Sequence, residues 1–143
     1  MKNGKVTEEI FARGHENITA KHKTTLEVTK DSELTPGGDC IIGVKADKSV
    51  RDLNLEIKKR IRAGNEILIK LILPDYGSDL SFRARGDRML QLSHETDVVI
   101  RKSGYRCERT LCIHSQISAK DIDRDFVRLL RDRKTELIVR IYA

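Results

Sequence analysis

The feature that most constrains the fold is a stretch that the chain contains twice. Residues 13–30 and 85–102 align without a gap, and both begin with Arg-Gly. The identical pairs are Arg13 with Arg85, Gly14 with Gly86, His22 with His94, Thr24 with Thr96 and Lys30 with Lys102. Self-similarity at a fixed spacing indicates repeated structural units. The sequence therefore predicts two similar halves related by an approximate two-fold axis.

Within each copy, apolar and polar residues alternate, which is the period of a half-buried strand. The apolar face of the first copy comprises Ile18, Ala20, His22, Thr24, Leu26 and Val28, and that of the second comprises Leu90, Leu92, His94, Thr96, Val98 and Ile100. We therefore expect one long strand at 17–30 and another at 88–102. Each would carry a histidine and a threonine on its apolar face and bend near the histidine, where weaker strand formers stand.

The rest of each half follows one order of elements. Further strands are predicted, in chain order, at 6–12, 40–44, 66–73, 80–84, 111–113 and 136–141. Ser49 and Ser118 each open a capping-box pattern, which predicts that a helix begins there. Gly64 is expected to end the first helix, and a Pro-Asp-Tyr-Gly turn at 74–77 separates the halves. Each half thus reads strand, strand, strand, helix, strand.

These elements predict a mainly β protein with two helices. We expect an internally duplicated, β-sandwich-like domain with a pseudo-two-fold axis; an α+β arrangement is the alternative. Residues 1–143 would form a single domain whose repeats, 5–73 and 77–143, share one core, because halves of about 70 residues would have marginal cores. In this alignment Cys40 matches Cys112 and Asp39 matches Leu111, so both cysteines are expected to pack as small apolar residues.

Composition limits the classes of function. The net charge of +6 permits an anionic partner. Aromatic residues are scarce, however, and no stacking platform accompanies the basic cluster of Arg101, Lys102, Arg106 and Arg109, which counts against the common single-stranded RNA modules. No long apolar segment predicts a membrane span, and three cysteines do not indicate a disulfide framework. We expect a cytoplasmic protein whose residues 1–4 are frayed.

Two histidines are the most specific candidates for a site. If the two-fold axis brings His22 and His94 together, they could bind a metal or transfer protons; the competing interpretation is that each bonds its neighbouring threonine as a structural histidine. Asp39, beside a glycine turn, is a candidate general base or ligand. The candidate binding residues are His22, Thr24, Asp39, His94, Thr96 and Arg109. No phosphate loop, dinucleotide fingerprint or zinc motif occurs, and the sequence does not identify a cofactor.

Several runs also resemble a known family. They are Arg-Gly-His-Glu-Asn-Ile-Thr-Ala-Lys-His-Lys-Thr-Thr-Leu-Glu, Thr-Pro-Gly-Gly-Asp-Cys-Ile-Ile-Gly-Val-Lys-Ala-Asp-Lys, Ser-His-Glu-Thr-Asp-Val-Val-Ile-Arg-Lys-Ser and Cys-Glu-Arg-Thr-Leu. Over nearly the whole chain they resemble an archaeal family of conserved domains of unknown function, number 371 of that series. The resemblance implies a β-sandwich-like fold and an archaeal cytoplasm; it implies no activity, cofactor or catalytic residue.

The sequence leaves three functions open. The first is a non-enzymatic binding module for a small anionic ligand or nucleic acid, which follows from the basic charge and the missing catalytic motifs. The second is a small metal-assisted or acid–base enzyme that uses His22, His94 and Asp39. The third is a structural subunit of a larger assembly, which an exposed apolar patch would favour.

Overall fold

The structure, a computed structural model, describes residues 5–143; the fraying predicted for residues 1–4 lies outside this range. The strands are β1 (Thr7–Arg13), β2 (Thr25–Thr29), β3 (Ile41–Gly43), β4 (Glu66–Leu73), β5 (Ser78–Arg85), β6 (Asp97–Arg101), β7 (Thr110–Cys112) and β8 (Glu136–Tyr142). The helices are α1 (Leu55–Arg62) and α2 (Arg124–Leu130). The predicted mainly β class with two helices is confirmed.

The strands form two four-stranded sheets. The first has the order β1-β8-β4-β5 and is antiparallel throughout. The second has the order β3-β2-β6-β7, with an antiparallel central pair and a parallel pair at each side. Each sheet takes two strands from each half of the chain. Exchanging every strand for its equivalent in the other half gives the same order from the opposite edge. The internal repeat of 5–73 and 77–143 stays a prediction that this order favours.

Except for Val99 of β6, the buried apolar side chains of both sheets and both helices belong to one cluster. In α1 the buried side chains are Ile57 and Ile61, and in α2 they include Phe126 and Leu130, so each pair is spaced by one helical turn. Each helix therefore places one face against a core that both halves supply. Within 5–143, neither helix is long and apolar enough to cross a membrane.

The two long strands predicted at 17–30 and 88–102 are wrong in their first part. Only 25–29 and 97–101 pair as strands. Ala20 and Leu92 are buried, as the alternation predicted, but their φ angles are 50° and 51°. A positive φ is rare for a residue with a Cβ and turns the chain out of an extended path. The alternation therefore identified the buried side chains correctly and the backbone path incorrectly.

The predicted helix starts are also shifted. The capping box at Ser49 forms, with the backbone N–H of Ser49 donating to Asp52 at 2.9 Å, but it opens a single 3₁₀ turn. Leu53 is extended (ψ 148°) and interrupts the helix, which begins afresh with Asn54 as its N-cap. The box at Ser118 precedes α2 in the same way. Each α-helix consequently begins several residues after the serine that was predicted to open it.

We call two residues counterparts when they make the same backbone hydrogen bond in the two halves. Glu27 of β2 donates its N–H to the carbonyl of Cys40 (2.9 Å), and Val99 of β6 donates to the carbonyl of Arg109 (3.0 Å). The counterpart of Cys40 is therefore Arg109, and the predicted match of Cys40 with Cys112 is wrong. An arginine thus stands in one half where the other has a thiol.

Candidate functional site

The two candidate histidines do not meet. Strands β2 and β6 are antiparallel, and each histidine precedes its strand by three residues, so His22 and His94 lie beyond opposite ends of the pair. His22 Nδ1 accepts the N–H of Thr24 (3.2 Å), and His94 Nδ1 accepts those of Thr96 (3.3 Å) and Asp97 (3.0 Å). Among residues 5–143, no group of three or more His, Cys, Asp or Glu side chains could hold a metal ion.

These bonds predict unequal effects of removing the two rings. We expect His94→Ala to lower the free energy of unfolding by about 2 kcal/mol and His22→Ala by about 1 kcal/mol. Each backbone N–H that loses its acceptor costs about 1 kcal/mol of stability, and His94 accepts two such bonds whereas His22 accepts one. Urea unfolding of the two variants measures the difference. A larger loss in His22→Ala would contradict this account.

Asp39 lies at the His22 end of the β2–β6 pair. Its carbonyl accepts the N–H of His22 (3.2 Å), just as the carbonyl of Glu108 accepts the N–H of His94 (3.1 Å). Glu108 is therefore the counterpart of Asp39, and the predicted match with Leu111 is wrong. In these contacts both residues act through their backbone carbonyl groups. The bonds hold the segments ahead of β3 and β7 against the turns ahead of β2 and β6.

The other candidates surround a carboxylate that sequence analysis missed. Asp97 accepts hydrogen bonds from Thr29 Oγ1 (2.8 Å), Thr96 Oγ1 (3.1 Å) and Arg109 Nη1 (2.8 Å). His94 Nδ1 lies 3.9 Å from its second oxygen. Three of the six candidates, His94, Thr96 and Arg109, are thus brought together, while His22, Thr24 and Asp39 belong to the other end of the strand pair.

A second buried carboxyl, Glu27, adjoins this group. Arg109 Nη1 lies 3.8 Å from Glu27 Oε1, and the Cys40 thiol donates to the same oxygen at 3.5 Å. Burial, reinforced by the charge of Asp97 and opposed by Arg109, raises the pKa of Glu27 to about 7. Burial and the neighbouring Glu27 raise the pKa of the Cys40 thiol to about 12. Cys40 is therefore a protonated donor and a poor nucleophile at neutral pH.

Hydrogen bonding has the opposite effect on Asp97. Burial alone would raise its pKa, but the bonds from Thr29, Arg109 and Thr96 outweigh burial and lower it. Asp97 is thus the charged partner of Arg109, and Glu27 is the carboxyl that holds a proton near neutrality. This cluster is largely enclosed and satisfied by its own partners, which are the properties of a structural group.

A different part of the surface forms an open, basic cleft of about 430 Å³. It lies between the C-terminal end of α1, the turn after β5 and the loop after β6. Its lining residues with basic side chains are Arg62, Arg85, Arg88, Arg106 and His114. Asp87 is the single acidic residue in the lining. We refer to this site as the arginine cleft.

The cations of the arginine cleft are unequally neutralised. Arg106 pairs with Asp87 at 3.2 Å. Arg62 donates to the backbone carbonyls of Leu90 (2.9 Å) and Gln91 (2.6 Å), so it is held in place and keeps its charge. Within residues 5–143, Arg85 and Arg88 have no carboxylate at ion-pair distance. The cleft therefore concentrates positive charge that the protein itself does not compensate.

The corresponding place in the first half is closed. There Arg133 binds Glu16 through two hydrogen bonds (2.6 and 3.0 Å) and also contacts Glu33 (3.1 Å) and His15 (3.1 Å). The bonds from Arg133 lower the pKa of Glu16 to about 2 and, together with those from His15, lower the pKa of Glu33. Only about 10 Å³ remains beside Gly14. This half fills the space with its own carboxylates.

Loop length explains the difference. Lys45 donates its N–H to Asp31, and His114 donates to Ser103. These counterparts are 72 positions apart for Asp31 and Ser103 but 69 for Lys45 and His114, so the intervening loop is three residues shorter in the second half. The shorter loop lacks an acidic residue equivalent to Glu33.

Two further changes keep the cleft open. Where Glu16 stands in the first copy of the repeat, the second copy has Arg88, so a carboxylate is replaced by a cation. On the helix side, Ala63 and Gly64 follow α1, and a Cβ on Gly64 would meet nothing within 4 Å. The arginine cleft thus has no equivalent of Glu16 and no equivalent of Arg133, the two residues that close the first half.

Sequence analysis missed this cleft, although a signal existed. Arg85 opens the second copy of the repeat and Arg106 belongs to the basic cluster, but the lining comes from four separate segments that only the fold brings together. The readable signal was the exchange of Glu16 for Arg88 within otherwise matching turns.

Comparison with known proteins gives a family and one similar sequence. Residues 10–143 match the family described as a domain of unknown function (DUF371). An uncharacterized protein, MJ0206 of Methanocaldococcus jannaschii, is 47% identical over 132 residues, which cover 92% of this chain and 96% of that protein. The predicted resemblance to an archaeal family is thereby confirmed, and neither description names an activity.

Proposed function

This chain belongs to the DUF371 family, and from its own geometry we propose that it is a non-enzymatic module that binds a small anionic ligand in the arginine cleft. The observation that carries the proposal is the contrast between the halves. The first half neutralises Arg133 with Glu16 and Glu33, whereas the second half leaves an open cleft with uncompensated arginines. We expect it to act in the cytoplasm, as the composition predicted.

The chemistry of the cleft suits phosphate-like oxygens. Guanidinium groups present paired donors that match phosphate and carboxylate, and charge-assisted bonds are the strong ones. Arg62 is fixed by the carbonyls that it contacts, so it offers a positioned charge at low entropic cost. Arg85 and Arg88 are exposed and gain a partner only when an anion enters.

The enzymatic alternative gains no support from the site. It required His22, His94 and Asp39 to act together, and the two histidines lie beyond opposite ends of the β2–β6 pair. The carboxyl with a pKa of about 7, Glu27, is only 5% exposed. A substrate would have little access to it.

Calorimetric titration with pyrophosphate tests the proposal. We expect saturable binding that weakens between about 50 and 200 mM salt, because salt screens exposed charges. Arg85→Gln and Arg88→Gln should each weaken binding about tenfold, the value of one charge-assisted hydrogen bond.

Arg13→Gln is the matched control. Arg13 is the residue equivalent to Arg85 in the repeat, but it faces Glu136 (3.6 Å) in the first half. This variant should bind pyrophosphate as tightly as the unaltered protein. An equal loss in Arg13→Gln, or no binding by the unaltered protein, would refute the proposed function.

A further inference from the structure

The loop that borders the arginine cleft carries an exposed aromatic ring. Tyr105 stands between Gly104 and Arg106, both of which line the cleft, and its own side chain is not part of the lining. It is 62% exposed, more than any other aromatic residue within 5–143. A chain with so few aromatic residues places this one in water beside a basic cleft. That position distinguishes Tyr105 from the buried rings of Phe82 and Phe126.

The ring is held in position. The guanidinium of Arg101 lies over it, 4.9 Å from the ring centroid, and Arg101 is itself anchored by Thr110 Oγ1 at 2.9 Å. The N–H of Tyr105 donates to Ser103 Oγ (3.2 Å), which tightens the loop. One face of the ring is therefore covered by a cation, and the exposed area belongs to the remaining face and edge.

The loop is also closely packed at its start. A Cβ on Gly104 would lie 3.0 Å from Cε1 of His114, so the absence of a side chain there lets the imidazole approach the loop backbone. His114 lines the cleft as well. The short loop thus combines a cationic wall with a fixed aromatic edge.

A cleft that suits phosphate, with a positioned aromatic ring beside it, suits a ligand that contains both a phosphate and a planar base. We propose that the anion bound in the arginine cleft is the phosphate of a nucleoside phosphate whose base stacks on Tyr105. This inference rests on the proposed function and names its ligand. Base–aromatic stacking requires no particular base, since every base has a π-face. The sequence predicted no stacking platform, and this proposal replaces that expectation with a single ring, Tyr105.

Calorimetric titration with ADP and with pyrophosphate, on the same protein, tests the assignment. We expect ADP to bind about tenfold more tightly than pyrophosphate, the gain from one stacked base. Tyr105→Ala should reduce ADP affinity to that of pyrophosphate and leave pyrophosphate binding unchanged. Tyr105→Phe should keep the preference for ADP. Tyr76→Ala, which removes another exposed tyrosine, is the control and should change neither titration.

The outcomes separate this inference from the proposed function. If pyrophosphate binds and ADP binds no better, the stacking assignment fails while the anion site stands. If Tyr105→Ala weakens both ligands equally, the ring acts on the anion site and the assignment also fails. If neither ligand binds, both proposals fail.

Two sources could supply the same chemistry, a free nucleotide and the terminal nucleotide of a single strand. A short RNA with a 5′-phosphate, compared with the same RNA without it, distinguishes them. A 5′-phosphorylated strand that binds more tightly than ADP and loses affinity in Tyr105→Ala assigns the strand end. A strand that binds more weakly than ADP assigns the free nucleotide.

Discussion

Replacing Gly86 by alanine is expected to lower the free energy of unfolding by more than about 3 kcal/mol, the range of severe packing and backbone defects. A Cβ at this position would lie 1.9 Å from the carbonyl oxygen of Ile61 and 2.8 Å from its carbon. These are backbone atoms of the last turn of α1, so no side-chain rotation relieves the clash. The N–H of Gly86 also donates to Asn65 at 2.9 Å, which fixes the approach.

The repeat provides a matched test of this effect. A Cβ on Gly14 would lie 2.3 Å from the carbonyl oxygens of Leu130 and Asp132, so Gly14→Ala should be similarly damaging. Gly37→Ala is the control, because the nearest atom to its Cβ is 3.7 Å away. Thermal and urea unfolding of the three variants measure the losses. A Gly86→Ala protein as stable as Gly37→Ala would show that the close approach to α1 does not occur.

Replacing Glu27 by glutamine is expected to stabilise the protein by up to about 3 kcal/mol above pH 7. The unfolded chain releases the Glu27 proton near its usual pKa of 4.5, whereas the folded chain keeps it until about 7. The unfolded state therefore binds fewer protons between these values, and the stability of the native protein falls as pH rises from 4.5 to 7. Glutamine removes that loss, since it carries no charge.

The pH profile of unfolding makes this test specific. The native and Glu27→Gln proteins should have similar stabilities near pH 4 and diverge through the window from 4.5 to 7. Asp97 titrates below this window, because its pKa is lowered, and it retains its bond to Arg109 at 2.8 Å in the variant. Glu108→Gln, an exposed substitution, is the control. Parallel profiles for the native and Glu27→Gln proteins would mean that Glu27 is not a buried acid.

The sequence predicted the inventory of elements well because local patterns determine most of them. Alternation, capping boxes and turn residues identified eight strands and two helices. The prediction of long strands was wrong at Ala20 and Leu92, because neither residue type indicates a positive φ angle. Tertiary contacts impose that conformation, and a local pattern carries no information about them.

The site was predicted less well, for a physical reason. Arg109 was a candidate, but Glu27 stands at a polar position of the alternating strand, where a solvent-exposed side chain is expected. The segments ahead of β3 and β7 cover that face and bury it. The arginine cleft depends on a three-residue difference in loop length, and the alignment that matched Cys40 with Cys112 concealed it.

The order of the first sheet has a consequence for synthesis on the ribosome. Strand β8 is the last to be made, yet it lies between β1 and β4 and pairs with both. Until it emerges, β1 has no neighbour in its sheet, and β4 offers an open edge of the kind that invites pairing with other chains. Closure of this sheet thus waits for β8, and a nascent chain that stalls before residue 136 exposes both edges to aggregation.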